Sequence, residues 1–330
     1  MTEGIFSKIH APALTQENIV FAIAMVFFVA FSVLLPGFFD TANLLSLVQN
    51  VSILGILGVG MGIVVIGRGI DLTMVSTLAM STAWTVALLN SGYSPAAALG
   101  LGLAFAAAVG VVIGILVAYV EIPAIFATLA MAIVVYGFGR MFLVDLDVIY
   151  VPEGALWMRE ISSTVLGVPL PVIWFGLLAL AAFLFLRFVR PGRYLYAMGD
   201  NLSAARITGI PVRPMTVLQY LISSIIAFGA GIVTASLLAS VNIRVAQSTM
   251  VYDVILVVVL GGVGLSGGKG GVRNIIVGTM LIGILLNGMT ILDMSFTVQN
   301  LVKGSVLLVA IIFDSIANPR DEQTAQQGDI

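Results

Sequence analysis

From Leu72 to Val120 the chain runs for 49 residues without a single Asp, Glu, Lys or Arg. A helix needs about 20 apolar residues to cross the hydrocarbon core of a bilayer, so this run holds two crossings. The turn cluster Asn90-Ser91-Gly92-Tyr93-Ser94-Pro95 divides them. Uncharged runs at Ile19–Phe39, Thr41–Gly67, Ile122–Gly139, Ile161–Leu186, Pro214–Ile243 and Asn274–Leu292 repeat the pattern. Two further candidates, Thr249–Leu265 and Val298–Ile316, carry Asp253 in the first and Lys303 and Asp314 in the second. The pattern predicts an all-α polytopic membrane protein of ten helices, with a single membrane-spanning unit over residues 19–318 and polar tails at 1–18 and 319–330. Apolar residues make up 60% of the chain and charged ones 9%, against about 25% in a soluble domain. Glu17 before the first run, with no small-residue cleavage site, argues against a cleaved signal.

The few charges are placed unevenly. Arg187, Arg190, Arg193, Arg206 and Arg213 lie in one break between spans, 187–214. With that break in the cytoplasm, ten spans put both termini inside. Lys8, Arg68, the five loop arginines, Lys269, Arg273 and Arg320 are then inside, and Arg140, Arg159, Arg244 and Lys303 outside. The reverse orientation violates the excess of basic residues in cytoplasmic loops. Asp145–Gly167 becomes the one long external loop.

Within the arginine-rich break a short helix has both ends written out. Asp200 or Asn201 can cap its start, Leu202 to Thr208 favour helix, Gly209 supplies a left-handed stop and Pro211 forbids continuation. Two turns are too few to hold together alone in water, so the helix must pack on something. Two Gly-rich connections share this side. Gly67-Arg68-Gly69-Ile70-Asp71-Leu72-Thr73 reads as a tight turn with Asp71 or Thr73 capping the next helix. Gly261 to Gly271 reads as a close-packed turn whose glycines allow positive φ. It is not a phosphate loop: five residues separate Gly262 from Gly268-Lys269 where four are needed, and Gly270 stands where Ser or Thr would hold magnesium. The runs Val64–Thr73 and Val258–Gly267 look alike, as internal repeats of transporters do.

The spans are chemically sparse. There is no cysteine, and the only histidine is His10, which excludes thiolate chemistry, a Ser–His hydrolase and a His-ligated metal within the membrane. Gln49, Asn50, Thr128, Gln219 and Asn287 are neutral and read as helix-joining contacts, with Asn50 and Asn287 also the candidates to line a solute path. Gly55, Gly58 and Gly62, and Gly110 with Gly114, read as close helix packing. Arg68, Asp71, Arg140, Asp253, Lys303 and Asp314 are all placed toward span ends. An ion-coupled carrier, the alternative reading, more often shows ionisable groups near the midplane. An intramembrane aspartyl protease would need Asp71 and Asp253 together, and the topology puts them on opposite sides. Nothing points to nucleic-acid binding.

Three motifs carry a resemblance. Gly69-Ile70-Asp71-Leu72-Thr73 with Ser76 resembles G-G-I-D-L-S-x-G-S. Gly199-Asp200-Asn201-Leu202-Ser203-Ala204-Ala205-Arg206 through Gly209-Ile210 resembles G-x-N-x-x-A-A-x-x-x-G-I. Leu260-Gly261-Gly262 through Leu265-Ser266-Gly267-Gly268 and Gly270 resembles L-G-G-x-S-L-x-G-G-x-G. Together they are similar to the permease subunit of bacterial ABC importers of the ribose and related-sugar class, over about residues 40 to 315. Arg68 and Val75 stand where that family usually has Gly, and Gly264 where it has Ser. The resemblance implies a dimeric core in the inner membrane, two cytoplasmic ATPase subunits holding the ATP and magnesium, and a soluble binding protein that delivers a small neutral solute, a sugar. This chain would then bind no cofactor or metal and would not itself be an enzyme. Gly199, Asp200, Asn201, Leu202, Ala204, Ala205, Arg206 and Gly209 would form the contact that couples ATPase to permease. Gly69, Asp71, Gly261, Gly262, Gly267 and Gly268 would form the motif turns.

Overall fold

Each of the ten apolar runs contains one helix in the computed structural model, which describes residues 16–317. In chain order the helices are α1 (Gln16–Leu34), α2 (Thr41–Ile66), α3 (Met74–Asn90), α4 (Pro95–Ala118), α5 (Ala124–Phe138), α6 (Leu156–Glu160), α7 (Leu170–Phe188), α8 (Arg190–Asp200), α9 (Leu202–Ile207), α10 (Val212–Leu238), α11 (Met250–Gly261), α12 (Val272–Ile291) and α13 (Phe296–Ala317). Among the described residues, α1, α2, α4, α5, α7, α10 and α12 are long and apolar enough to span a membrane, α5 with the π-helical turn Gly139–Leu143 at its end. The chain is a multi-pass, all-α membrane protein. The expected N-terminal tail lies outside the described residues except for 16–18, which already belong to α1; the tail 319–330 lies outside them altogether.

Three expected spans need correction. The run from Ile161 does not enter a helix until Leu170, because Thr164–Val165 (β2) and Val168–Pro169 (β3) form a tight hairpin first. The run expected to end at Ile243 leaves its helix at Leu238, and Ser240–Asn242 (β4) pairs with Val148–Tyr150 (β1). Asp147 beside β1 binds both Arg140, at 3.3 Å, and Arg244, at 2.6 Å. The third correction is α11: its 12 residues reach about 18 Å at 1.5 Å per residue, short of a hydrocarbon core about 30 Å thick.

α2, α3 and α10 form the centre, and their buried residues run nearly continuously. α4 lies closest to α10 because Gly110 and Gly114 have no side chain there. A Cβ on Gly110 would sit 2.7 Å from the Tyr220 carbonyl oxygen, and one on Gly114 2.5 Å from Val217 Cα. That is the close packing the sequence announced.

The similarity between Val64–Thr73 and Val258–Gly267 has a structural counterpart. α2 ends with Gly69 N–H donating to Val64 C=O and Arg68 N–H to Val65 C=O. α11 ends with Val263 N–H donating to Val258 C=O and Gly262 N–H to Val259 C=O. Both are the paired bonds of a Schellman stop, with Arg68 (φ 67°) and Gly262 (φ 94°) at the same left-handed position. The sequence carries glycine at one copy and arginine at the other.

Candidate functional site

The three motifs, far apart in sequence, meet at one end of the bundle. The break 187–214 holds two helices rather than the one expected. α8 opens on Pro191 and buries Gly192, Leu195, Met198 and Gly199 along one stripe, leaving Arg190, Arg193 and Asp200 outward. Its Tyr196 hydroxyl donates to the Gly270 carbonyl at 2.9 Å. Burial pushes the Tyr196 phenol above its ordinary pKa of 10.0, so it stays a neutral donor.

Gly199, Gly268 and the end of α2 interlock through backbone alone. Gly268 N–H donates to the Ile66 carbonyl at 2.9 Å. A Cβ on Gly199 would overlap the Ile66 carbonyl oxygen and the Gly268 nitrogen. Gly268 adopts φ 71°, and a Cβ there would lie 2.6 Å from Asp200 N. Gly267, at φ 85°, has Gly199 Cα 3.0 Å from where its Cβ would be. Alanine cannot enter either glycine of the central contact without separating the chains. Nearby, the Asn274 amide donates to the Gly261 carbonyl at 2.8 Å and ties the end of α11 to the start of α12.

α9 follows directly from this joint, with the ends the sequence specified. The Asn201 side chain accepts from Ala204 N–H at 2.9 Å, so Asn201 is the cap, and Asp200 is not. Gly209 (φ 81°) closes the helix in a third Schellman stop, with Ile210 N–H on Ala205 C=O and Gly209 N–H on Arg206 C=O. The facing of the helix departs from expectation. Ala205, expected in an outward contact, is 3% exposed and packs with Met198 and Val212, with Leu202 beside it. Those two residues seat α9 on α8 and α10. Ser203, Ala204, Arg206 and Ile207 point outward, and Ile207 is 87% exposed. No signal in the sequence singled out Ile207.

Asp71, expected to cap α3 from a tight turn, does accept from Thr73 N–H at the start of that helix at 3.0 Å, but it is fully buried and also accepts from Ser223 Oγ at 2.7 Å. Ser223 is the twelfth residue of α10, about 16 Å from its start at 1.5 Å per residue. After the stop at Arg68, a short non-helical stretch carries Ile70 and Asp71 back into the bundle, where α3 begins. Gly69 fits under the Tyr220 hydroxyl on this path; a Cβ would come within 2.6 Å of it.

The two solute-path candidates lie toward the other end. Asn50 and Asn287 line one cavity of about 480 Å³ between α2, α10, α11, α12 and α13. Asn287 is held by Asn43 through two reciprocal amide bonds of 3.0 and 2.9 Å, whereas the Asn50 side chain has no hydrogen-bond partner among the described residues. The same wall carries Asp253 and Lys303, which the sequence placed at span ends free to reach water. Instead they pair with each other at 2.8 and 3.0 Å, their side chains only 15% and 10% exposed.

Comparison with known proteins gives the family of the chain as a whole. The family described as branched-chain amino acid transport system permease component matches residues 43–311. The chain is 33% identical over 302 residues to the ribose import permease protein RbsC of Escherichia coli K12, covering 91% of this chain and 93% of that one. It is 29% identical to the L-arabinose ABC transporter permease protein AraH of Azospirillum brasilense, over 88% and 86% of the two chains. The D-allose transport system permease protein AlsC of E. coli K12 is 27% identical over 90% of each. No solved structure matches the chain.

Proposed function

Because the chain belongs to the branched-chain amino acid transport system permease family, we propose that it is the membrane-spanning subunit of an ATP-driven importer of a small neutral sugar in the bacterial inner membrane. The arginine-rich end faces the cytoplasm, and both termini lie on that side. α9 seats in a groove of a separate ATPase subunit, which binds ATP and magnesium. A second permease subunit completes the core, and a soluble binding protein delivers the solute to the opposite end, where Asn50 and Asn287 line its way in. The observation that carries this reading is Ile207, 87% exposed on a helix whose other apolar face is already seated. On so short a helix, next to an outward-facing Arg206, the Ile207 side chain offers apolar area that a partner groove would gain by covering.

The end of α8, which leads directly into α9, meets the end of α2 and the connection after α11 without side-chain padding, so ATP-driven movement of the partner would re-orient the spans, as alternating access requires. The sugar class rests on the relatives, whose names include ribose, L-arabinose and D-allose. The test is uptake of D-ribose, L-arabinose and D-allose into vesicles carrying the chain with its co-purifying ATPase. The expected result is accumulation of one of the three that stops on ATP depletion and survives an uncoupler. Accumulation that collapses with the uncoupler and ignores ATP would identify an ion-coupled carrier instead.

A further inference from the structure

The cavity away from the coupling end holds a pair of charges that neither packing nor coupling explains. Asp253, in the first turn of α11, and Lys303 on α13 are joined at 2.8 Å with side chains only 15% and 10% exposed, and both line the cavity wall. An ion pair of this kind adds little stability over apolar residues of the same volume. Ionisable groups in membrane segments are costly and face water-filled pathways. Their bonding capacity is also unspent. The carboxylate can accept about four hydrogen bonds and the ammonium can donate three, and the contact between them uses only part of each. Asn50 adds an amide with no protein partner among the described residues. Phe296, 64% exposed, offers a ring 5.9 Å from the Lys303 ammonium.

A net-neutral acceptor and donor side by side suit a solute that is itself neutral and carries donors and acceptors on adjacent atoms. We propose that Asp253 and Lys303 touch the passing solute directly and select polyhydroxylated ring compounds by a pair of neighbouring hydroxyls. One hydroxyl donates to the Asp253 carboxylate while the next accepts from Lys303, with Asn50 at the far wall. Because the two charges already neutralise each other, the contact discriminates without holding the solute tightly. The solute class rests on the import reading above; the direct contact does not.

The chain has no cysteine, so Thr234→Cys, a near-isosteric change at a cavity-lining residue outside the proposed contact, gives one thiol in the cavity of the full-length protein. Labelling by a membrane-impermeant thiol reagent, with and without D-ribose, L-arabinose or D-allose, needs neither ATP nor a partner. At least one sugar is expected to slow labelling several-fold, and Asp253→Leu combined with Lys303→Met, which keeps packing without charge, is expected to abolish that protection. In vesicles with the ATPase, Asp253→Asn should raise KM about tenfold, the worth of one good hydrogen bond to a charge at 1.4 kcal/mol, with maximal rate and ATPase binding held. It should also erase preference for the sugar over its monodeoxy analogue. Protection that persists in the Leu/Met variant, or unchanged labelling with all three sugars, overturns the proposal. Protection in a protein showing no ATP-driven uptake would sink the import reading and leave this contact standing.

Discussion

Ile207 offers the sharpest test, because its present surroundings contribute almost nothing to the fold. It is 87% exposed, so shortening it should leave the isolated subunit unchanged in detergent elution and thermal unfolding. If a partner groove covers it, Ile207→Ala removes three carbons at about 0.8 kcal/mol each, about 2.4 kcal/mol if fully buried. Scaled by the exposed fraction, the loss is about 2 kcal/mol, or roughly a 30-fold weaker Kd for the ATPase subunit. Ile207→Asp buries an unpaired carboxylate in the same groove and should prevent assembly altogether. Binding by titration calorimetry and uptake in vesicles should fall together. Ala205→Asp makes an instructive contrast. That side chain is 3% exposed against Met198 and Val212, so the carboxylate would unseat α9 and lower thermal stability as well. Should Ile207→Asp bind the ATPase with unchanged Kd and transport at the normal rate, the coupling surface lies elsewhere.

Three other outcomes follow from the joint and its orientation. Gly268→Ala should abolish transport and reduce yield, since its Cβ would meet Asp200 backbone at 2.6 Å, while Lys269→Ala, an exposed neighbour, should stay near wild type; equal loss in both would refute the backbone-contact account. Arg68→Gly removes a side chain from the left-handed region, which disfavours non-glycine residues by about 1–2 kcal/mol, and should raise thermal stability if this strain exceeds the added freedom of glycine in the unfolded chain; a clear loss would mean the Arg68 side chain matters more than its backbone. Cysteines at Ser203 and Gln323 should label only from the cytoplasm and one at Glu153 only from outside, with same-side labelling of Ser203 and Glu153 incompatible with the proposed orientation.

The sequence made legible what depends on neighbours along the chain. Asn201, Gly209 and Pro211 wrote the ends of α9 because capping and left-handed stops are local chemistry. The likeness of Val64–Thr73 to Val258–Gly267, read as an internal repeat, corresponds in the structure to two matching helix stops. What it hid depends on packing. Ala205 looked as available as Ala204, and only Met198 and Val212, on other helices, decide which one is covered. α8 was missed because its arginines and glycines read as loop, although Leu195 and Met198 at a spacing of three mark its buried side. Asp71 read as a cap in a short connection, and nothing local shows that a non-helical return carries it inward to Ser223. Asp253 and Lys303 were each placed near a span end, and nothing local says that α11 and α13 bring them together.

The joint of Gly199, Gly268 and Ile66 has a mechanical consequence. Side chains at an interface can change rotamer and take up a displacement, so a contact made of them has slack. Here peptide groups bear on peptide groups, with bond lengths and planes that barely flex. A push that α9 passes to the end of α8 therefore meets no lost motion at this bearing: the end of α2 and the connection after α11 must travel with it or the joint must open. A linkage without backlash can convert a stroke of an ångström or two into an equal stroke at the bundle, and it tolerates no added atom at its pivot.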